Sequence, residues 1–122
     1  MTFQTSIIAV VEDDANMMKG IERLLDAHGF GIEAYRSAEA YLDSVAASKA
    51  TCLVVDIHLG GMSGIELRRR LTASGSKLAV IFMTAVDSDE TQREAMAAGC
   101  LAYLRKPFPA KSLIDAIGRA AN

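Results

Sequence analysis

Apolar residues fall along this chain in two alternating kinds of run. Five runs are short, rich in aliphatic side chains and nearly continuous: Ser6–Val11 (SIIAVV), Gly31–Tyr35 (GIEAY), Cys52–Asp56 (CLVVD), Leu78–Thr84 (LAVIFMT) and Cys100–Arg105 (CLAYLR). Between them the apolar positions recur at helical spacing. Met17, Met18, Ile21, Leu24, Leu25 and His28 form one stripe, and Ala38, Tyr41, Leu42 and Val45 a second. Ile65, Leu67 and Leu71 form a third, and Leu113, Ile114, Ile117 and Ala121 a fourth. The first pattern predicts strands and the second predicts helices. The segment Asp87–Ala98 (DSDETQREAMAA) is the weakest helix, with a stripe of little more than Ala95 and Met96.

Start and stop residues agree with these bounds. Asp14 and Ser37 are suited to cap the first two helices, and Ser63 with Glu66 three residues on has the form of a capping box. Gly29, Gly75 and Gly99 follow helical runs, where a left-handed residue is wanted, and Pro109 suits the first turn of the last helix. Five strand–helix repeats predict an α/β fold: a doubly wound, flavodoxin-like, five-stranded parallel sheet in the order 2-1-3-4-5, with five helices. The first, third and fourth strand runs are apolar throughout, as strands covered on both faces should be. GIEAY alternates, which suits an edge.

Composition narrows the classes. The 122 residues make one domain, and 51% hydrophobic content is too high for a disordered chain. A net charge of -2 argues against a basic nucleic-acid surface, so no direct nucleic-acid binding is expected. Two cysteines, Cys52 and Cys100, are too few for a disulfide framework, and both sit in apolar runs as buried, reduced thiols would. No run is long enough to span a membrane, and the N-terminal stretch MTFQTSIIAVVEDD lacks the basic start of a signal peptide. A cytoplasmic protein is expected.

In an open parallel sheet, ligands bind beyond the carboxyl ends of the strands, where strand order reverses. Strand one ends in Glu12, Asp13 and Asp14, strand three in Asp56, strand four in Thr84 and strand five in Lys106. Strands one and three are neighbours in the predicted order, so their acids share one crevice with a hydroxyl and an ammonium. Clustered carboxylates repel unless a proton or a cation intervenes. Hard oxygen ligands suit Mg²⁺, and a carboxylate can act as a nucleophile toward phosphorus. Asp14 taken alone reads as a helix cap.

At these residues the sequence resembles the receiver domain of bacterial two-component response regulators, over essentially its whole length. The likeness rests on Glu12-Asp13, Asp56, Gly64, Thr84-Ala85, Tyr103 and Lys106-Pro107-Phe108, and on the intervals between them. It implies a phosphorylation-dependent switch rather than an enzyme, with Asp56 as phosphoacceptor. It implies Mg²⁺ held by Asp13, Asp56 and the backbone carbonyl of His58, with Glu12 acting mainly through water. Lys106 would pair with the phosphate, Thr84 would hydrogen-bond it, and Tyr103 would be the aromatic whose rotamer reports that bond. Ala85 would leave the phosphate room, and the Lys106–Pro107 bond would be cis.

The implied partners are a sensor histidine kinase or phosphotransfer protein, and a second copy of the chain on phosphorylation. The output surface would be the fourth helix, fifth strand and fifth helix. The runs GMSGIEL and REAMAAGCLAYLRKPF look like receivers that precede a helix-turn-helix domain. On that likeness residues 1–122 are a single receiver with no output domain in this chain, either a stand-alone receiver or a piece of a longer regulator whose transcriptional output domain lies outside it. One departure concerns the loop: the family usually has proline at the fourth position after the phosphoacceptor, where this chain has Gly60 and then Gly61. Other classes fit less well. An aspartyl phosphohydrolase would present a second acid where His58 stands. A nucleotide or flavin module would want a phosphate-binding loop where EDDAN places negative charge. A degenerate docking receiver would not need the intact Asp13, Asp56, Thr84 and Lys106.

Overall fold

The computed structural model describes residues 6–120. The expectation about the N-terminal stretch falls partly on residues 1–5, and Ala121 of the fourth stripe also lies outside the described residues. Five strands alternate with five helices. In chain order these are β1 (Ile7–Val11), α1 (Ala15–Ala27), β2 (Gly31–Tyr35), α2 (Ala38–Ser44) and β3 (Cys52–Asp56). They continue with α3 (Gly64–Ala73), β4 (Ala79–Thr84), α4 (Asp89–Ala98), β5 (Ala102–Arg105) and α5 (Ala110–Ala120). All strand pairs are parallel, in the order β2-β1-β3-β4-β5, as the alternation predicted.

The apolar strand runs are explained by a two-faced core. Side chains alternate across a strand, so a central strand must be apolar at every position. Ala9, Val11, Leu53, Val55, Val80 and Phe82 point to one face, against Tyr41, Ile65, Leu67, Leu71 and Ala95. Ile8, Val10, Cys52, Val54, Ile81 and Met83 point to the other, against Met18, Ile21, Leu25, Leu113 and Ile117. Thus α2, α3 and α4 cover one face, and α1 and α5 cover the other. β2 lies at an edge, and its polar Glu33 is used there: its carboxylate accepts from the Tyr35 hydroxyl, the Ser48 hydroxyl and the Lys49 amide.

The caps form largely where expected. The Asp14 carboxylate accepts from the amides of Asn16 and Met17, and the Ser37 hydroxyl accepts from Ala40. Ser63 accepts from the Glu66 amide at 3.1 Å, but the Glu66 carboxylate turns to Arg69 and Arg70, so that half of the capping box is replaced by ion pairs. Pro109 directly precedes α5, and its carbonyl accepts from the Ser112 amide.

Four expectations are corrected. β5 begins at Ala102 rather than Cys100, because the chain is still turning out of Gly99 (φ 93°) there. α2 ends at Ser44 and tightens into a 3-10 turn over Val45–Ala47, which leaves Val45 38% exposed instead of in the core. Met96 points outward at 52% exposure, so α4 buries only Ala95 fully. Cys52 is buried, but Cys100 is only half-buried, its thiol 3.9 Å from the Met96 sulfur.

Such a weakly apolar helix needs another anchor. Arg68 of α3 provides it: Nε donates to the Gly99 carbonyl at the end of α4, and Nη1 to the Leu78 carbonyl just before β4, both at 2.9 Å. One guanidinium thereby satisfies a carbonyl in each of two connections. Replacing Arg68 by Met keeps the stem and removes both bonds. We expect Arg68→Met to cost about 2 kcal/mol in urea unfolding, with faster amide exchange concentrated in α4.

Candidate functional site

The carboxyl ends of β1, β3 and β4, with the residue after β5, converge on one crevice. The β1–β3 register pairs Val11 with Val55, so the next residues, Glu12 and Asp56, stand side by side. β1 returns to β2 on one side while β3 leads to β4 on the other, and this reversal opens the space above them. Glu12 is 1% exposed and Asp56 6%, whereas Asp13 faces solvent. α3 can start close beneath this loop because it opens with Gly64. A Cβ there would collide with the Asp56 backbone carbonyl.

Lys106 holds the acids together. Its ammonium lies 2.5 Å from Glu12 Oε1 and 2.8 Å from Asp56 Oδ2. The turn that aims it follows β5: the Lys106 amide donates to the Thr84 carbonyl at 2.7 Å, and the Lys106–Pro107 peptide is cis, as the resemblance implied. The other oxygens are also engaged. Asp56 Oδ1 accepts from the His58 amide at 2.9 Å, and Glu12 Oε2 from the Asp14 amide at 3.2 Å.

Burial pushes the Glu12 carboxyl above its ordinary value, against the opposing pull of Lys106 and the Asp14 amide. For Lys106, desolvation favours the neutral amine, yet the bonds to Asp56 and Glu12 outweigh it and the ammonium is held above its ordinary value. Two buried acids around one cation form a tightly coupled set, in which each charge depends on the others.

Carboxylate oxygens of Glu12, Asp13 and Asp56 lie within 4.8 Å of one another. This all-oxygen, triply acidic donor set fits Mg²⁺, a hard cation. His58 follows β3 as expected, with its side chain exposed and its amide on Asp56. Thr84 closes β4 fully buried. Its hydroxyl donates to the Val86 carbonyl at 2.8 Å and accepts from the Val86 amide at 3.0 Å, closing the start of the β4–α4 loop on itself. The Tyr103 hydroxyl of β5 donates to Asp87 at 3.1 Å. Asp87 also meets Arg105 at 3.3 Å. Asp87 is a site neighbour that sequence reasoning did not single out, since nothing in the chain links it to an aromatic sixteen residues later.

A doubly wound parallel sheet with an acid triplet and a lysine at its switch point defines a class of signalling domain, and comparison with known proteins agrees. The chain matches the response regulator receiver domain model over residues 8–118 and belongs to that family. It is 37% identical to the transcriptional regulatory protein FixJ of Bradyrhizobium diazoefficiens, over 83% of this chain and 49% of that protein. It is 30% identical to the response regulator protein TodT of Pseudomonas putida, over 99% of this chain and 53% of that protein. The crystal structure of FixJ-N superposes with a TM-score of 0.89 at 31% identity, covering 98% of this chain and 95% of that one. The chain spans about half the length of the curated relatives it matches. It is a receiver domain of two-component signalling, a switch module rather than a classical enzyme. Among the described residues, no helix is long and apolar enough to cross a membrane.

The ion-pair set has a pH signature. A carboxyl whose folded pKa is raised favours folding fully below its ordinary 4.5, and that contribution is lost as pH rises through the folded value. The raised Lys106 acts at the alkaline end: its contribution is present below 10.5 and lost as pH rises through its higher folded value. At neutral pH, Lys106→Met leaves two buried acids unpaired. We expect it to cost about 3 kcal/mol at pH 7 and clearly less at pH 5, by urea denaturation. Adding Glu12→Gln should recover much of the loss at pH 7.

Proposed function

We propose that this receiver is switched by phosphorylation of Asp56. The observation that carries this reading is the setting of that one side chain. It is nearly buried at the crevice floor, with one oxygen on the His58 amide and the other on the Lys106 ammonium. A carboxylate oxygen attacks the phosphorus of a phosphohistidine on a sensor histidine kinase or phosphotransfer protein. The new O–P bond makes an acyl phosphate, the P–N bond breaks, and the imidazole leaves with its electron pair and takes up a proton. Phosphoryl transfer asks mainly for positioning and charge compensation, which Lys106 and the surrounding amides supply. Asp13, Asp56 and the His58 carbonyl would hold Mg²⁺, with Glu12 acting mainly through water. When bound, that ion offsets the repulsion between the acids and the incoming phosphate.

The resting contacts give the signal a route. The Thr84 hydroxyl is spent on Val86, and phosphate at Asp56 offers it a more strongly charged acceptor. Release of that turn frees the β4–α4 loop, and Tyr103 leaves Asp87 for the space vacated by Thr84. α4 buries only Ala95 fully, so the α4/β5/α5 face can change its packing at little cost. This face is read by a second copy of the chain or by an output domain. The name of the relative FixJ, a transcriptional regulatory protein, supports a transcriptional output in a longer cytoplasmic regulator, with residues 1–122 as its single receiver.

Incubating the chain with acetyl phosphate and Mg²⁺ should add one phosphoryl group, read by intact mass. Asp56→Asn, or EDTA, should abolish the gain. Uptake that persists in Asp56→Asn would place the acceptor elsewhere.

The lifetime of the phosphate has its own determinant. Hydrolysis needs a water in line with phosphorus. The side chains two positions beyond Asp56 and Thr84, His58 and Val86, flank that path. Val86 has no polar atom to orient the water. Val86→Glu should therefore shorten the phosphate lifetime several-fold relative to wild type, in a time course of phosphate loss.

A further inference from the structure

The loop between β3 and α3 gives backbone amides to three acids from three different elements. The His58 amide donates to Asp56 at the end of β3. The Gly60 amide donates to Asp13, just after β1, at 3.3 Å. The Met62 amide donates to Glu39 in the first turn of α2, at 3.1 Å. Ile57 and Leu59 point into the core between these contacts, at 2% and 9% exposure. The loop is thus pinned alternately by apolar side chains inward and by amide–carboxylate bonds outward.

We propose that the Gly60 N–H is a positioning group for Asp13, with Glu39 as the second anchor of the same loop. The proposal rests on the reading of the acid triplet as a cation site and adds which backbone atom presents its exposed member. Glu12 and Asp56 are buried and fixed by Lys106, whereas Asp13 is exposed, and an exposed carboxylate loses rotamer freedom when it binds. The Gly60 N–H already holds Asp13 Oδ2. A carboxylate offers two oxygens and about four lone-pair sites, so the partner oxygen stays available to a cation. The bond also places a partial positive charge among three acids, which eases their repulsion before any cation arrives.

The two glycines divide the work. Gly61 has φ 81°, and the Glu39 carboxylate oxygen lies 2.6 Å from where its Cβ would be, so position 61 must stay bare for Glu39 to reach the Met62 amide. That bond and one from its own amide, the larger influence, hold the Glu39 carboxyl below its ordinary value. Gly60 has no such restriction: its φ lies outside the left-handed region, and a Cβ would meet nothing within 4 Å. What position 60 contributes is its N–H, which alanine keeps and proline lacks.

The test is an Mg²⁺ titration of the full chain followed by amide NMR. Gly60→Pro should bind Mg²⁺ about three- to tenfold more weakly than wild type, the effect of losing one exposed, long hydrogen bond. Gly60→Ala should restore affinity to within about twofold, and Glu39→Ala should weaken it by a smaller factor. In the wild-type chain the Gly60 amide should exchange more slowly than in Asp13→Ala, a readout that does not depend on how well Gly60→Pro folds. Equal Mg²⁺ affinity in Gly60→Pro and wild type, or equal Gly60 exchange with and without the Asp13 carboxylate, overturns the tether while leaving the cation site standing. No Mg²⁺ uptake by wild type overturns both.

Discussion

Everything at the working end of this domain depends on one ammonium set between two buried carboxylates. Glu12 and Asp56 sit side by side because parallel register forces them together, and without Lys106 their repulsion would oppose the fold. Buried ion pairs seldom add much stability over an apolar equivalent. This one holds a nearly buried carboxylate oriented at the end of a fully buried strand, which an apolar equivalent would not do. The site is kept at some cost to the fold, as the upward push of burial on Glu12 shows.

The rest of the domain divides into a firm half and a loose half. β1, β3 and β4 are buried on both faces, so the ends that carry Glu12, Asp56 and Thr84 have little freedom. Against this frame, α4 is held by one buried alanine, by the Ser88 hydroxyl that caps it by accepting from the Thr91 amide, and by the Arg68 guanidinium, and its loop by the turn Thr84 makes with Val86. Polar bonds of this kind can be exchanged one for another, whereas a packed core changes only in discrete steps. Under the proposed switch, a new acceptor near Thr84 would act on the half of the molecule able to respond.

The β3–α3 loop lies between these regimes. Its residues alternate between core contacts and amide–carboxylate bonds, so it is well defined without being rigid by composition. Gly60 and Gly61 look from the chain like a single flexible element. In the fold they have different functions, one supplying an N–H and the other supplying space.

The chain by itself determined the architecture, because strand and helix periods differ and each run here is long enough to show its period. It also identified the crevice residues, since strand order and strand ends together dictate which side chains meet. Asp14, Ser37, Gly29, Gly75 and Gly99 were legible as stops and caps, their chemistry being local. What only tertiary structure decided was the set of polar contacts between distant segments outside that crevice. Arg68 reaching Gly99, Tyr103 and Arg105 meeting Asp87, and Glu39 bonding the Met62 amide all lack a periodic signature. The same holds for Val45, Met96 and Cys100, which are apolar in sequence but lie where a helix tightens or turns its face to water. Periodicity records which face a residue takes on its own element. The neighbour it finds across a gap depends on how the elements pack, and that is settled only when the whole chain has closed.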